Sequence, residues 1–130
     1  MFQKMLPPNN GGGGGGSIVA TPILNGEHVY NASAGYKKLE NITLIDSEYL
    51  SYNSTDGSLT VLKDAPLFVA ELRSNGDSYS VEVNSVKVLT TNGANYGYIQ
   101  LKAGDIIKLN RNNVGNTGNT KLNIDVLNVV

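Results

Sequence analysis

The chain holds one histidine, His28, eleven carboxylates and no cysteine, and these counts bound the chemistry open to it. A zinc site needs three or four N, S or O ligands, so with one imidazole and no thiolate the others would all have to be carboxylates. His28, set between Glu27 and Val29, is therefore read as a solvated histidine at a strand end. The same ring could serve a Ser-His-Asp triad only beside a positioned nucleophile, and the sequence has no G-x-S-x-G elbow. Asp46 and Glu48 stand two residues apart, a spacing open to acid/base work or calcium binding. A solvated turn accounts for them more simply. No enzymatic activity, metal or cofactor is expected.

Tyrosine is the main aromatic, with seven residues and no tryptophan. Its ring buries well while its hydroxyl stays wet, which suits a subunit interface or a sugar-stacking surface. Tyr30, Tyr36 and Tyr96 are the candidates for surface recognition. Net charge is −1 and the largest basic cluster is the pair Lys37 and Lys38, so the electrostatic footprint of nucleic acid binding is missing. No apolar segment approaches the ~20 residues that cross a bilayer, and no membrane insertion is expected. The first residues lack the apolar stretch of a signal peptide, so export by that route is not expected either.

The run Gly11, Gly12, Gly13, Gly14, Gly15 and Gly16 divides the chain. It lacks the Gly-Lys-Ser/Thr ending of a phosphate loop, and consecutive glycines lose too much backbone freedom on ordering to form a core element. It is a tether. Before it, Met1, Phe2, Met5 and Leu6 are apolar, and Pro7 and Pro8 fix an extended backbone. Residues 1–8 thus read as an anchor peptide that docks on a partner, residues 9–17 as the linker, and residues 18–130 as one domain.

That domain is apolar enough to fold, with 40% hydrophobic residues, and its punctuation is that of an all-β protein. Ile18 to Thr21 and His28 to Tyr30 read as brief edge-like strands separated by Pro22 and the turn pair Asn25-Gly26. Further strands are expected at 42–45, 49–52, 58–62, 67–72, 96–101, 106–110 and 121–129. Tyr79 to Val88 alternates as one long strand or as two joined near Asn84-Ser85. The segment Tyr36 to Glu40 is the one helix candidate and is too short to stand alone. In the last strand Leu122, Ile124 and Val126 share one face, with Asn123, Asp125 and Leu127 on the other. About ten strands at roughly 8–12-residue spacing predict an antiparallel sandwich or barrel. Many tyrosines and an apolar C-terminal segment, Val126 to Val130, point to a small homo-oligomer.

The stretch Tyr96-Gly-Tyr-Ile-Gln-Leu-Lys-Ala-Gly-Asp-Ile-Ile-Lys-Leu109 resembles the strand, Gly-Asp turn, strand hairpin near the C-terminal end of jelly rolls of the tumour-necrosis-factor and complement type. That resemblance implies an antiparallel, jelly-roll-like β-sandwich. The overall layout, an apolar peptide, a polyglycine tether and a small Cys-free β domain, is similar to accessory virion proteins of tailed bacteriophages, such as capsid decoration proteins, head fibres and tail appendages. It implies a structural or adhesive protein assembled in the host cytoplasm onto the virion. Its N-terminal peptide would insert among capsid or tail proteins, with the β domain displayed outward, often as a trimer. The alternative is a carbohydrate-binding module that holds a host surface glycan.

Overall fold

The computed structural model describes residues 17–29, 33–74, 78–91, 93–113 and 118–129. The anchor peptide, the glycine tether and Tyr30 lie outside the described residues. The described chain forms eleven strands: β1 Ile18–His28, β2 Gly35–Lys37, β3 Asn41–Ile45, β4 Leu50–Tyr52, β5 Leu59–Val61, β6 Ala65–Arg73, β7 Tyr79–Val83, β8 Val86–Thr91, β9 Ala94–Leu101, β10 Ile106–Arg111 and β11 Thr120–Val129. They build two sheets, sheet A in the order β3-β1-β11-β6-β9 and sheet B in the order β4-β5-β10-β7-β8, with β2 also pairing with β10. Every pairing is antiparallel. The all-β sandwich expected from the sequence is the fold observed.

Alternation decides what lies between the sheets. In β10 burial falls on every second residue, Ile107, Leu109 and Arg111, and in β11 Leu122, Ile124 and Val126 turn inward. All of these but Arg111 join Leu24, Ala70 and Leu72 of sheet A and Val61, Tyr79 and Val81 of sheet B in one continuous core. Burial of such side chains contributes about 1.5–3 kcal/mol each, and without a disulfide it is the main force holding the sheets together.

Two local devices set the register of sheet B. Asn84 and Ser85 have φ of 51° and 70°, which makes the β7–β8 connection a two-residue turn of the kind whose twist matches a hairpin. The period-two run is therefore two strands. Asn84 also ties this turn to the start of β10, accepting from the Ile106 N–H at 3.0 Å and donating to Asp105 Oδ1 at 3.0 Å. The Lys102 to Asp105 turn forms as read from sequence. Gly104 takes a φ of 95°, and Asp105 Oδ2 accepts from the Lys102 N–H at 2.9 Å.

Three sequence expectations are corrected. Residues 18–28 form one strand rather than two, and β1 lies between β3 and β11 rather than at an edge. Asn25-Gly26 does not turn. A Cβ at Gly26 would stand 2.7 Å from Leu39 Cδ1, so this glycine admits a core side chain from a segment thirteen residues later. Pro22, which has no N–H to donate, sits where the β1–β11 register shifts between Pro22 and Leu24, the kind of position where a strand proline is tolerated. The short helix candidate is also absent, because Gly35 to Lys37 pair with Leu109 to Arg111 of β10.

Candidate functional site

Tyr36 and Tyr96 do not share a surface. Lys37 pairs with the inward Leu109, so its neighbour Tyr36 points out of sheet B. Gly97 pairs with the inward Ala70, so Tyr96 points out of sheet A, on the opposite side of the sandwich. These two tyrosines therefore build no single recognition platform.

On sheet B, Tyr36 is half exposed and its hydroxyl donates to Glu82 Oε1 at 2.8 Å, while Asn110 donates to Glu82 Oε2 at 2.8 Å. These two bonds satisfy a carboxylate that is otherwise buried. Hydrogen bonding to Glu82, followed by burial, holds the Tyr36 hydroxyl above the usual phenol range. Lys108 Nζ lies 4.8 Å from the Tyr36 ring centroid, within cation–π reach.

The outer face of sheet A is different in kind. Register aligns Pro22 of β1, Asp125 of β11, Val69 of β6 and Tyr98 of β9 in one row across the sheet. On one side lie Ala20 and Leu127, on the other Asn25, Asn123, Glu71 and Tyr96. Leu127 is 5% exposed yet stands apart from the core cluster between the sheets, and Asp125 is only 7% exposed. Tyr98 remains 38% exposed at the margin. Past Asn25 and Asn123 the surface becomes a polar groove with Glu27, Asn41, Thr43 and Lys121. Sequence reasoning placed Asp125 and Leu127 together on one face but passed over Asp125 and Tyr98 as site residues. The available signal was a lone acid between Ile124 and Val126 that shares its own face with Leu127.

His28 occupies a third setting, and its reading as solvated is overturned: it is 1% exposed. Because β1 runs straight through Asn25-Gly26, strand parity carries His28 inward opposite Thr120. From sheet B come Tyr79 and Arg111, themselves opposite one another. The His28 and Tyr79 ring centroids are 6.2 Å apart, and the Arg111 guanidinium carbon is 5.9 Å from the Tyr79 centroid. His28 Nδ1 lies 2.9 Å from the Lys38 carbonyl and 3.2 Å from Glu40 Oε1. Both are acceptors, so Nδ1 carries the hydrogen. His28 Nε2, Tyr79 Oη and Thr120 Oγ1 are buried with no hydrogen-bond partner among the described residues. Burial, reinforced by Arg111, holds the nearby Lys37 ammonium below the usual lysine range.

Asp46 and Glu48 serve the turn before β4: Asp46 Oδ1 accepts from the Glu48 N–H at 2.9 Å, and Glu48 pairs with Lys63 at 2.7 Å. The geometry as a whole defines an antiparallel jelly-roll sandwich with a divided outer face on sheet A. No family model and no curated relative matches the sequence. Among solved structures, GITRL from bushbaby aligns with 85% of this chain and 97% of its own at a TM-score of 0.55 and 19% identity. Rabbit GITRL aligns with 82% and 96% at 0.49 and 15%. The first likeness is one of fold, a jelly roll of the tumour-necrosis-factor type. The resemblance read from Tyr96 to Leu109 thus extends to the architecture of the domain.

Proposed function

We propose that the chain is a non-enzymatic structural and adhesive protein whose β domain works as a small homo-oligomer, a trimer, joined through the outer face of sheet A. The observation that carries this reading is the row Pro22, Asp125 and Tyr98 with Leu127 beside it, an outward sheet face on which Pro22 and Tyr98 stay exposed around a leucine and a carboxylate that the chain itself already covers. A half-dry patch of this kind with tyrosines at its rim matches the anatomy of an interface core, where aromatic rings contribute most. A second copy suits it because a closed symmetric assembly presents the same patch from each chain. Residues 1–8 anchor the oligomer and the glycine linker decouples it from the anchor. The particle served is a tailed-phage virion, where the β domain projects outward as a decoration, head-fibre or tail-appendage protein. Several anchors docking from one oligomer raise attachment strength through effective concentration.

Light scattering on the full chain tests the association. Its mass is expected at about three times the 13.8 kDa of one chain, and Tyr98→Arg, which changes a side chain already exposed, is expected to shift it toward the monomer. A clean monomer for the unaltered protein at micromolar concentration overturns the reading. A glycan-binding role remains as a second reading on one observation, the half-exposed Tyr36 ring beside the Asn110 amide and Glu82. Loss of glycan-array binding by Tyr36→Ala would favour it.

A further inference from the structure

Asp125 is the unusual member of the sheet A face. It lies in the middle of β11, opposite Pro22 of β1 and Val69 of β6. Among the described residues, the charged or titratable groups on the same face are few. β6 brings Glu71 and Arg73, β1 brings Glu27, β11 brings Lys121, and β9 brings Tyr96 and Tyr98. Glu71 is already engaged, by Asn123 at 3.2 Å and by Arg73 at 3.2 Å. Glu27 accepts from Asn41 at 3.3 Å. None of the ion pairs among the described residues reaches Asp125. Burial first, and then the charge of Glu71, hold its carboxyl above the usual carboxylate range.

We infer that self-association of the domain is proton-linked through Asp125, the assembly tightening as the pH falls. This rests on the proposed use of the sheet A face as the interface. An ionised carboxylate enclosed between copies must give up the water it still has, and a symmetric contact brings the same charge from every chain. A neutral carboxyl escapes most of that cost and gains an O–H to donate. The sign follows. If enclosure raises the carboxyl's proton affinity further, the assembled state binds more protons than the separate chains. The association constant then rises as pH falls between the two proton affinities, by up to about tenfold per pH unit for each chain. Above that window the charged form opposes assembly.

Sedimentation equilibrium of the full chain between pH 4.5 and 8 tests this, with far-UV circular dichroism separating unfolding from dissociation. The unaltered protein is expected to associate more tightly toward acid. Asp125→Asn keeps the shape without the charge, and it is expected to associate at pH 8 as the unaltered protein does at acid pH, with the pH dependence largely gone. If Asp125→Asn keeps the full pH dependence, or if the unaltered assembly shows none, the proton linkage is overturned while the interface stands. If the unaltered protein is monomeric throughout, or Tyr98→Arg associates normally, the interface reading itself fails, and the linkage with it.

Discussion

Replacing Tyr79 by Phe should stabilise the protein, against the usual direction of core substitutions. The Tyr79 hydroxyl is buried without a hydrogen-bond partner among the described residues, and a polar group left in that state costs about 1–3 kcal/mol. Phenylalanine fills the same ring volume without the hydroxyl. The expected gain is about 1 kcal/mol, which for a domain of this size corresponds to a rise of roughly 4 °C in Tm. Thr120→Val applies the same reasoning from the opposite sheet, and valine also suits a strand. Tyr52 supplies the control, because its hydroxyl accepts from the Leu39 N–H at 3.0 Å and donates to the Leu39 carbonyl at 3.3 Å. Tyr52→Phe should therefore lose about 1 kcal/mol. Urea unfolding followed by circular dichroism, at one fixed protein concentration because self-association shifts the midpoint, measures all three. A loss of about 1 kcal/mol or more in Tyr79→Phe would refute the reasoning, since it would mean that an internal water satisfies the hydroxyl. A water shared by the two groups would further appear as a coupling energy of at least about 0.5 kcal/mol in the Tyr79→Phe, Thr120→Val double-mutant cycle.

Gly57 has a φ of 80°, and a Cβ there would stand 2.9 Å from the Lys37 carbonyl and 3.1 Å from Lys38 Cα. Gly57→Ala should thus combine a left-handed backbone penalty of about 1–2 kcal/mol with overpacking against main chain. Gly104→Ala, with open space at its φ of 95°, should cost the backbone term alone, and thermal melts of the pair check the order. The Asp105 carboxyl is held below its ordinary value, first by the Lys102 N–H and then by Asn84. Its contribution to stability is fully present above the unfolded-state value and is lost as pH falls through the lower folded one, so urea midpoints of Asp105→Asn and the unaltered protein should converge in acid. For the proposed anchor, burying Met1, Phe2, Met5 and Leu6 contributes about 1.5–3 kcal/mol each, close to what ordering about eight backbone residues costs at roughly 1–2 kcal/mol apiece. Phe2→Ala with Leu6→Ala should accordingly abolish incorporation into particles while leaving the domain folded. Shortening the glycine run by two should matter much less, because the roughly seven linker residues left still reach about 15 Å. Copy number in purified particles is the readout.

The sequence by itself determined the features that depend on neighbours along the chain. Alternation in Tyr79 to Val88 and in Leu122 to Val126 marked strands, and Lys102-Ala-Gly-Asp105 marked its turn, because a period of two and a positive φ are properties of a few consecutive residues. Only the tertiary structure decided what those strands pair with. Asn25-Gly26 has the composition of a turn, yet its glycine answers to Leu39, which packs where a Cβ would be. Once β1 ran through that point, parity alone turned His28 from a solvated end into a buried one. Tyr36 and Tyr96 were both candidates for surface recognition, and only strand pairing placed them on opposite sheets. Asp125 shared a face with Asn123 and Leu127 in the sequence, but its low exposure was not legible there, because its strand partners Pro22 and Val69 lie 103 and 56 positions earlier. Local patterning says that a face is buried; long-range register says against what, and the chemistry of a face follows from the second.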